Sequence, residues 1–176
     1  MRHMPSYAAF LRGVSPMNLK MPVLKAALEE CGFTDVKTLL SSGNAVFSGR
    51  RMTDSALEKK VVTTIEKHTQ QVFGVIVRSI EELQALLDAD PYQAFRLPAG
   101  SKRVVTFLRS APEKKVELPP ALHGARIWTV RGRDALSSYV HNDKGPVFMT
   151  LIEKTFGKDV TTRTWGTVQK VVQAGS

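Results

Sequence analysis

Apolar residues recur along this chain with two periods, and the switches between them divide it into short elements. The run YAAFLRG (7–13) is apolar up to Arg12 and ends in glycine, as a buried strand does. Pro22 then opens a helix with Leu24, Ala27, Leu28 and Cys31 on one face. Gly32 suits a left-handed C-terminal cap, with Phe33 placed to reach back to Leu28. VKTLL (36–40) and NAVFS (44–48) read as strands joined at Ser41-Ser42-Gly43, a hairpin. Thr53 caps a long helix with Leu57, Val61, Ile65, His68 and Val72 at helical spacing. VIVR (75–78) is a β-branched strand, and Ser79 with Glu82 forms a capping box ahead of Leu83, Leu86 and Leu87. The order β-α-β-β-α-β is that of a ferredoxin-like half spanning 1–90. The opening MRHM carries no apolar pattern and is left out of this fold assignment.

A turn-rich stretch from Asp90-Pro91 through RLPAGSK marks a linker over 91–102. Beyond it the pattern resumes over 103–176 with a strand, RVVTFLR (103–109), and a Pro-flanked connection. RIWTV (126–130) and ALSSYVH (135–141) follow as a hairpin turned at Arg131-Gly132-Arg133. Pro146 opens a helix with Phe148, Ile152 and Phe156, closed by Gly157, and a last helix carries Trp165, Val168, Val171 and Val172. The whole reads as an α+β protein of two ferredoxin-like halves, the second a degenerate copy with no residue-level repeat.

Composition changes this picture in two ways. The single cysteine excludes an internal disulfide and fits a reducing cytoplasm. No apolar run approaches the roughly 18 residues that span a membrane, and no signal peptide is recognisable, so no membrane partner is expected. The net charge of +9 is uneven: residues 1–89 hold 11 Lys/Arg against 9 Asp/Glu, and residues 90–176 hold 14 against 7. That leaves +2 on the first half and +7 on the second, an asymmetry that points to an anionic partner or to a solvated basic face.

Most catalytic signatures are missing. There is no dinucleotide fingerprint, no nucleotide P-loop and no G-x-S-x-G elbow. His3, His68, His123 and His141 are scattered, and none stands at ligand spacing from another or from Cys31, so neither a metal nor a cofactor is expected. His68 lies on an apolar stripe, where a satisfied histidine is commoner than a base. Cys31 sits at a helix C-terminus, where the dipole disfavours a thiolate. Turn and cap duties account for Asp88 and Asp90.

The segments AFLRGVS, NLKM, GFTDVKTLLSSGNAVF, VIVRS, VTFL, VRGR and TTRTWGTVQKV occur in order from about residue 7 to about residue 173. In this series the chain resembles the domain of unknown function 1697 family, small bacterial proteins of unassigned activity. The resemblance implies an α+β fold of two related halves and supplies no reaction. Members usually carry an N-V-G-G loop after the first strand; here Ser15, Pro16 and Met17 stand in it. Proline removes a backbone donor, so this loop is expected to be a poor anion cradle. The usual W-N-T reads Trp165-Gly166-Thr167, losing a polar side chain.

Three readings of function follow. The first is a binder of an anionic small molecule or nucleic acid, with Arg12, Ser42, Asn44, Arg131, Arg133, Lys144 and Arg163 as candidate ligand contacts. Arginine suits them because its planar fork grips phosphate or carboxylate bidentately. The bland alternatives are that Asn44 serves a left-handed turn, that Arg131 and Arg133 are solvated, and that Arg163 bonds a carbonyl. An RNA-recognition module is rejected: its central strand needs several aromatics, and SGNAVFSG offers Phe47 alone. The second reading is an enzyme on a small anionic substrate in the cleft between the two halves, with Ser138, Tyr139, Lys144 and Arg163 as polar groups. The third is an interaction module, including a homodimer, using edge strands or Trp128 and Trp165.

Overall fold

The structure, a computed structural model, describes residues 4–176; His3 and the rest of the first three residues lie outside it. The chain divides into two compact units, one of residues up to Asp88 together with Gln169–Ser176, the other Ala89–Val168. No described helix is long and apolar enough to cross a membrane.

In the first unit the elements are β1 (Ser6–Arg12), α1 (Met21–Glu30), β2 (Thr34–Leu39), β3 (Asn44–Ser48), α2 (Asp54–Thr69), β4 (Gly74–Ser79) and α3 (Ile80–Ala89). The antiparallel sheet runs β2-β3-β1-β4, with Ala9 level with both Ala45 and Val77. Side chains alternate across a strand. Ala9, Leu11, Phe47, Val75 and Val77 therefore share one face and pack with Leu24 and Leu28 of α1 and Leu57, Val61 and Ile65 of α2. Each of those leucines and isoleucines removes enough apolar surface to contribute about 1.5–3 kcal/mol. The end of α1 is a Schellman motif: the Phe33 amide donates to the Leu28 carbonyl and the Gly32 amide to that of Glu29. Gly32 takes φ +102°, and Leu28 and Phe33 are both buried in this core.

Thr53 Oγ1 caps α2 by accepting from the Ala56 amide, and the helix ends at Gln70 in the left-handed region. Val72, placed on the α2 stripe by its spacing, lies past that end and is 67% exposed. The stripe instead includes Glu58, whose carboxylate accepts from the Val77 amide at 2.9 Å. His68 sits in the last turn of α2, with Nδ1 at 2.9 Å from the Thr64 carbonyl and Nε2 at 2.5 Å from Glu30 Oε2.

The second unit opens with a 3-10 turn (Pro91–Ala94) and continues β5 (Lys102–Leu108), β6 (Ala125–Arg131), β7 (Asp134–Tyr139), α4 (Val147–Phe156) and β8 (Val160–Thr164). From β8 the chain enters α5 (Trp165–Gly175), whose residues up to Val168 belong to this unit. The sheet order β6-β7-β5-β8 repeats that of the first unit strand for strand. One feature differs from the sequence pattern. Val160–Thr164, to which the pattern assigns no element, is a strand that pairs with β5. The segment equivalent to α1, residues 109–124, contains no helix, in keeping with the Pro-flanked connection read there. One sheet face packs Leu108, Ala125, Ile127 and Val160 against Val147, Leu151 and Ile152 of α4, with Leu118 of the 109–124 segment at the margin. Both outer hairpin strands carry register shifts, between Thr34 and Lys37 in β2 and between Ile127 and Thr129 in β6.

Candidate anion-binding surface

Arg12, Ser42 and Asn44 come together at one end of the first sheet. The Leu11 amide donates to the Gly43 carbonyl at 2.9 Å, which sets the end of β1 beside the β2–β3 turn. Asn44 is not the left-handed residue of that turn; Leu40 (φ +57°) and Gly43 (φ +91°) are. Asn44 is the fully buried first residue of β3, and its Nδ2 donates to the Leu39 carbonyl and to Ser42 Oγ, both at 3.0 Å. Its amide thus holds the hairpin closed, because its donors are spent inside the turn.

The neighbouring loop accounts for its own amides. Ser15 N donates to Asn18 Oδ1 at 2.8 Å, Met17 N to Ser15 Oγ, and Asn18 N and Leu19 N to the Ser15 carbonyl. Asn18 Nδ2 donates to the Gly13 carbonyl, and Pro16 has no amide to offer. An anion cradle needs several amides directed at one point. Here four of them are bonded within the loop.

The four second-unit candidates are dispersed. Arg131 and Arg133 flank Gly132 (φ +61°) in a two-residue hairpin turn, with the Arg133 carbonyl accepting from the Leu108 amide at 2.8 Å. Lys144 is exposed and follows the far end of β7, about 17 Å from that turn at roughly 3.4 Å per residue. Arg163 stands on β8, opposite Val105 and at the far edge of the sheet from β6. The polar groups of the enzyme reading do not converge either. Tyr139 stacks on Phe148 of α4 with ring centroids 5.0 Å apart, whereas Ser138, its neighbour in the strand, faces the opposite side of the sheet.

That opposite side carries an arrangement of its own. Ser138 is level with Arg103 of β5 and with Arg126 of β6, so one row crosses three strands as Arg103, Ser138, Arg126. Two strand spacings separate the arginine backbones by about 10 Å. Arg163 is on the same face, a diagonal neighbour of Arg103 about 7–8 Å away at the backbone. The guanidinium carbon of Arg126 lies 4.2 Å from the Trp128 ring centroid. That of Arg103 lies 5.7 Å from the Tyr92 ring and 5.5 Å from the Trp165 ring, which meet edge to face at 5.2 Å. Among the described residues neither Arg103 nor Arg126 has a carboxylate partner.

The bulge in β6 produces part of this geometry. It sets the extra residue, Trp128, over the row, where its indole Nε1 donates to Ser138 Oγ at 2.8 Å and its ring meets Phe95 at 5.2 Å. Tyr92, which the sequence places in the linker, is buried and its hydroxyl donates to the Val104 and Ser137 carbonyls at 2.6 and 2.9 Å. Burial pushes that hydroxyl well above the usual tyrosine range. Burial also lowers Arg163 to about 10, and its Nη1 donates to its neighbour Thr162's carbonyl at 2.8 Å. Arg163 remains protonated at neutral pH, and a partly desolvated cation attracts an anion more strongly than a solvated one. Among the described residues no three His, Cys, Asp or Glu side chains gather to hold a metal.

Sequence reasoning reached Arg163 and Ser138 and missed Arg103 and Arg126. The readable signal was R-I-W in β6, an arginine and a tryptophan two apart on a strand. The bulge that turns this tryptophan onto Ser138 leaves no mark in the hydrophobic pattern.

A family model described as a protein of unknown function (DUF1697) matches residues 4–133. Among solved structures, the chain is similar to the conserved bacterial protein SP0830 from Streptococcus pneumoniae, with a TM-score of 0.71 at 20% identity over 97% of each chain. At that identity the likeness concerns the fold. No curated protein matches the chain.

Proposed function

We propose that this chain, which belongs to the DUF1697 family, binds a small phosphate- or carboxylate-bearing ligand on the arginine face of its second unit. The observation that carries the reading is the pair Arg103 and Arg126, each held over aromatic rings and without a carboxylate partner among the described residues. Stacking occupies the flat faces of a guanidinium and leaves its in-plane N–H donors for an acceptor. Arg163 adds a third positive charge on the same face, and the buried Ser138 hydroxyl accepts from Trp128 Nε1 and so fixes the ring beneath Arg126. Of the contacts anticipated from sequence, Arg163 belongs to this face. Arg12, Ser42 and Asn44 lie in the other unit, and Arg131, Arg133 and Lys144 lie at the two ends of β7.

The chain's two tryptophans, Trp128 and Trp165, both touch these arginines, so intrinsic fluorescence reports directly on the surface. Titration with inorganic phosphate, pyrophosphate and adenosine monophosphate is expected to give a saturable change that weakens as salt is raised. The double variant R103A/R126A removes two charge-assisted contacts of about 1.5–3 kcal/mol each and is expected to weaken binding at least 100-fold. Binding that survives in the double variant, or no binding at about 50 mM salt, refutes the reading. Labelled single-stranded RNA under the same conditions tests the nucleic-acid form; a steep salt dependence of tight RNA binding would replace the small ligand with a polyanion.

A further inference from the structure

We propose that the second unit carries a second, independent site, for an amphipathic organic acid: an apolar chain ending in one carboxylate. The site is a cavity of about 380 Å³ between the 109–124 segment and the outer strand β6. Its position follows from the fold. In the first unit the equivalent connection is α1, which fills the space above the sheet with Leu24, Ala27 and Leu28. In the second unit an irregular segment crosses that position, and of its residues Leu118 packs at the margin of the core.

The lining has two characters. Val116, Leu118 and Val130 form an apolar floor, and Leu118 and Val130 continue into the core beneath α4. Lys114 and Lys115 stand exposed on the lining, with Glu113 as the one carboxylate among the lining residues. Gly132 also lines the cavity, so the hairpin turn that bears Arg131 and Arg133 borders it. A volume of this size is at the lower end of small-molecule sites. An inorganic anion would leave the apolar floor wetted, and a neutral hydrocarbon would leave the lysines without a partner. A medium-length carboxylate satisfies both, the chain on Val116, Leu118 and Val130 and the head group at Lys114 and Lys115. This site shares no residue with the Arg103–Ser138–Arg126 row, and neither proposal depends on the other.

The test is amide-resolved NMR titration of the intact chain with decanoate below its micelle concentration, beside decanol, acetate and inorganic phosphate. Decanoate is expected to shift the Val116, Val130 and Gly132 amides saturably, with acetate and decanol each at least about tenfold weaker. The variant K114E/K115E reverses two exposed charges on a loop and should weaken decanoate about tenfold while leaving the thermal midpoint in place. V116W, on the same loop, fills the cavity and should abolish the shifts. Saturable shifts that are equal for acetate, or unchanged by both variants, overturn the proposal, as does the absence of any saturable shift with decanoate.

Discussion

The two units share one sheet order, β4-β1-β3-β2 in the first and β8-β5-β7-β6 in the second, but are covered differently. In the first, α1 and α2 both lie on the sheet, Glu58 accepts from the Val77 amide, and His68 pairs with Glu30. In the second, α4 covers the same face with an irregular segment in place of its first helix, and the unit carries most of the excess positive charge. A strand order therefore tolerates the loss of one covering helix provided the remaining helix seals the centre of the sheet. What stands in its place is open space beside β6, lined in part by Lys114 and Lys115.

Truncating the leucines of the two equivalent connections should separate the units most widely. Leu28→Ala in α1 removes a fully buried side chain and is expected to cost about 2–5 kcal/mol, read from urea denaturation. Leu118→Ala in the irregular segment, half-buried, is expected to cost less than about 1.5 kcal/mol. Equal losses would show that the segment closes its core as thoroughly as α1 does.

The hairpin turns differ next. Gly43 combines φ +91° with a Cβ position 3.0 Å from the Cβ atoms of Leu11 and Val14, whereas Gly132 at φ +61° has open space around it. Gly43→Ala should therefore destabilise by about 2 kcal/mol or more and Gly132→Ala by about 1 kcal/mol. A Gly132→Ala loss as large as that of Gly43→Ala would contradict the open surroundings.

The smallest effect concerns pH. Glu30 holds the His68 imidazole above its usual value of about 6.5, and His68 holds the Glu30 carboxyl below its own. A raised histidine stabilises the fold below its unfolded value and loses that contribution as pH rises through the folded value. A lowered carboxylate loses its contribution as pH falls through its folded value. The pair therefore contributes between the two, and little in size, since both groups are solvent-screened. In an NMR titration the His68 ring protons should move to a lower midpoint in Glu30→Gln; an unchanged midpoint would show that Thr64 alone raises it.

Where local chemistry decides structure, the sequence was legible. Leu28, Gly32 and Phe33 announce the Schellman motif, Thr53 and Ser79 the helix starts, and the alternation of strand residues the two halves. Strand β8 was hidden because VTTRT offers one apolar residue beside three threonines and an arginine; its pairing with β5 is a tertiary effect. Val72 was misread because helical spacing carries no record of where the chain turns, and the left-handed Gln70 ends α2 before it. At the candidate surface, Arg163 was visible as an arginine whose planar fork suits an anion. Arg103 and Arg126 were not, because a cross-strand row depends on register, and register in β6 is set by its bulge.

Those same register shifts bear on how the chain behaves in a crowded solution. Each falls in the outermost hairpin strand of its sheet, β2 or β6, where unpaired backbone groups invite another chain to add a strand. An extra residue interrupts the evenly spaced row of donors and acceptors that such an addition needs. In β2 the interruption is joined by Lys37, whose ammonium donates to the Ala174 carbonyl at 3.1 Å and sets a charge on the rim. Stacking of sheets edge to edge, the first step toward fibrils, is thereby obstructed at both of these strands.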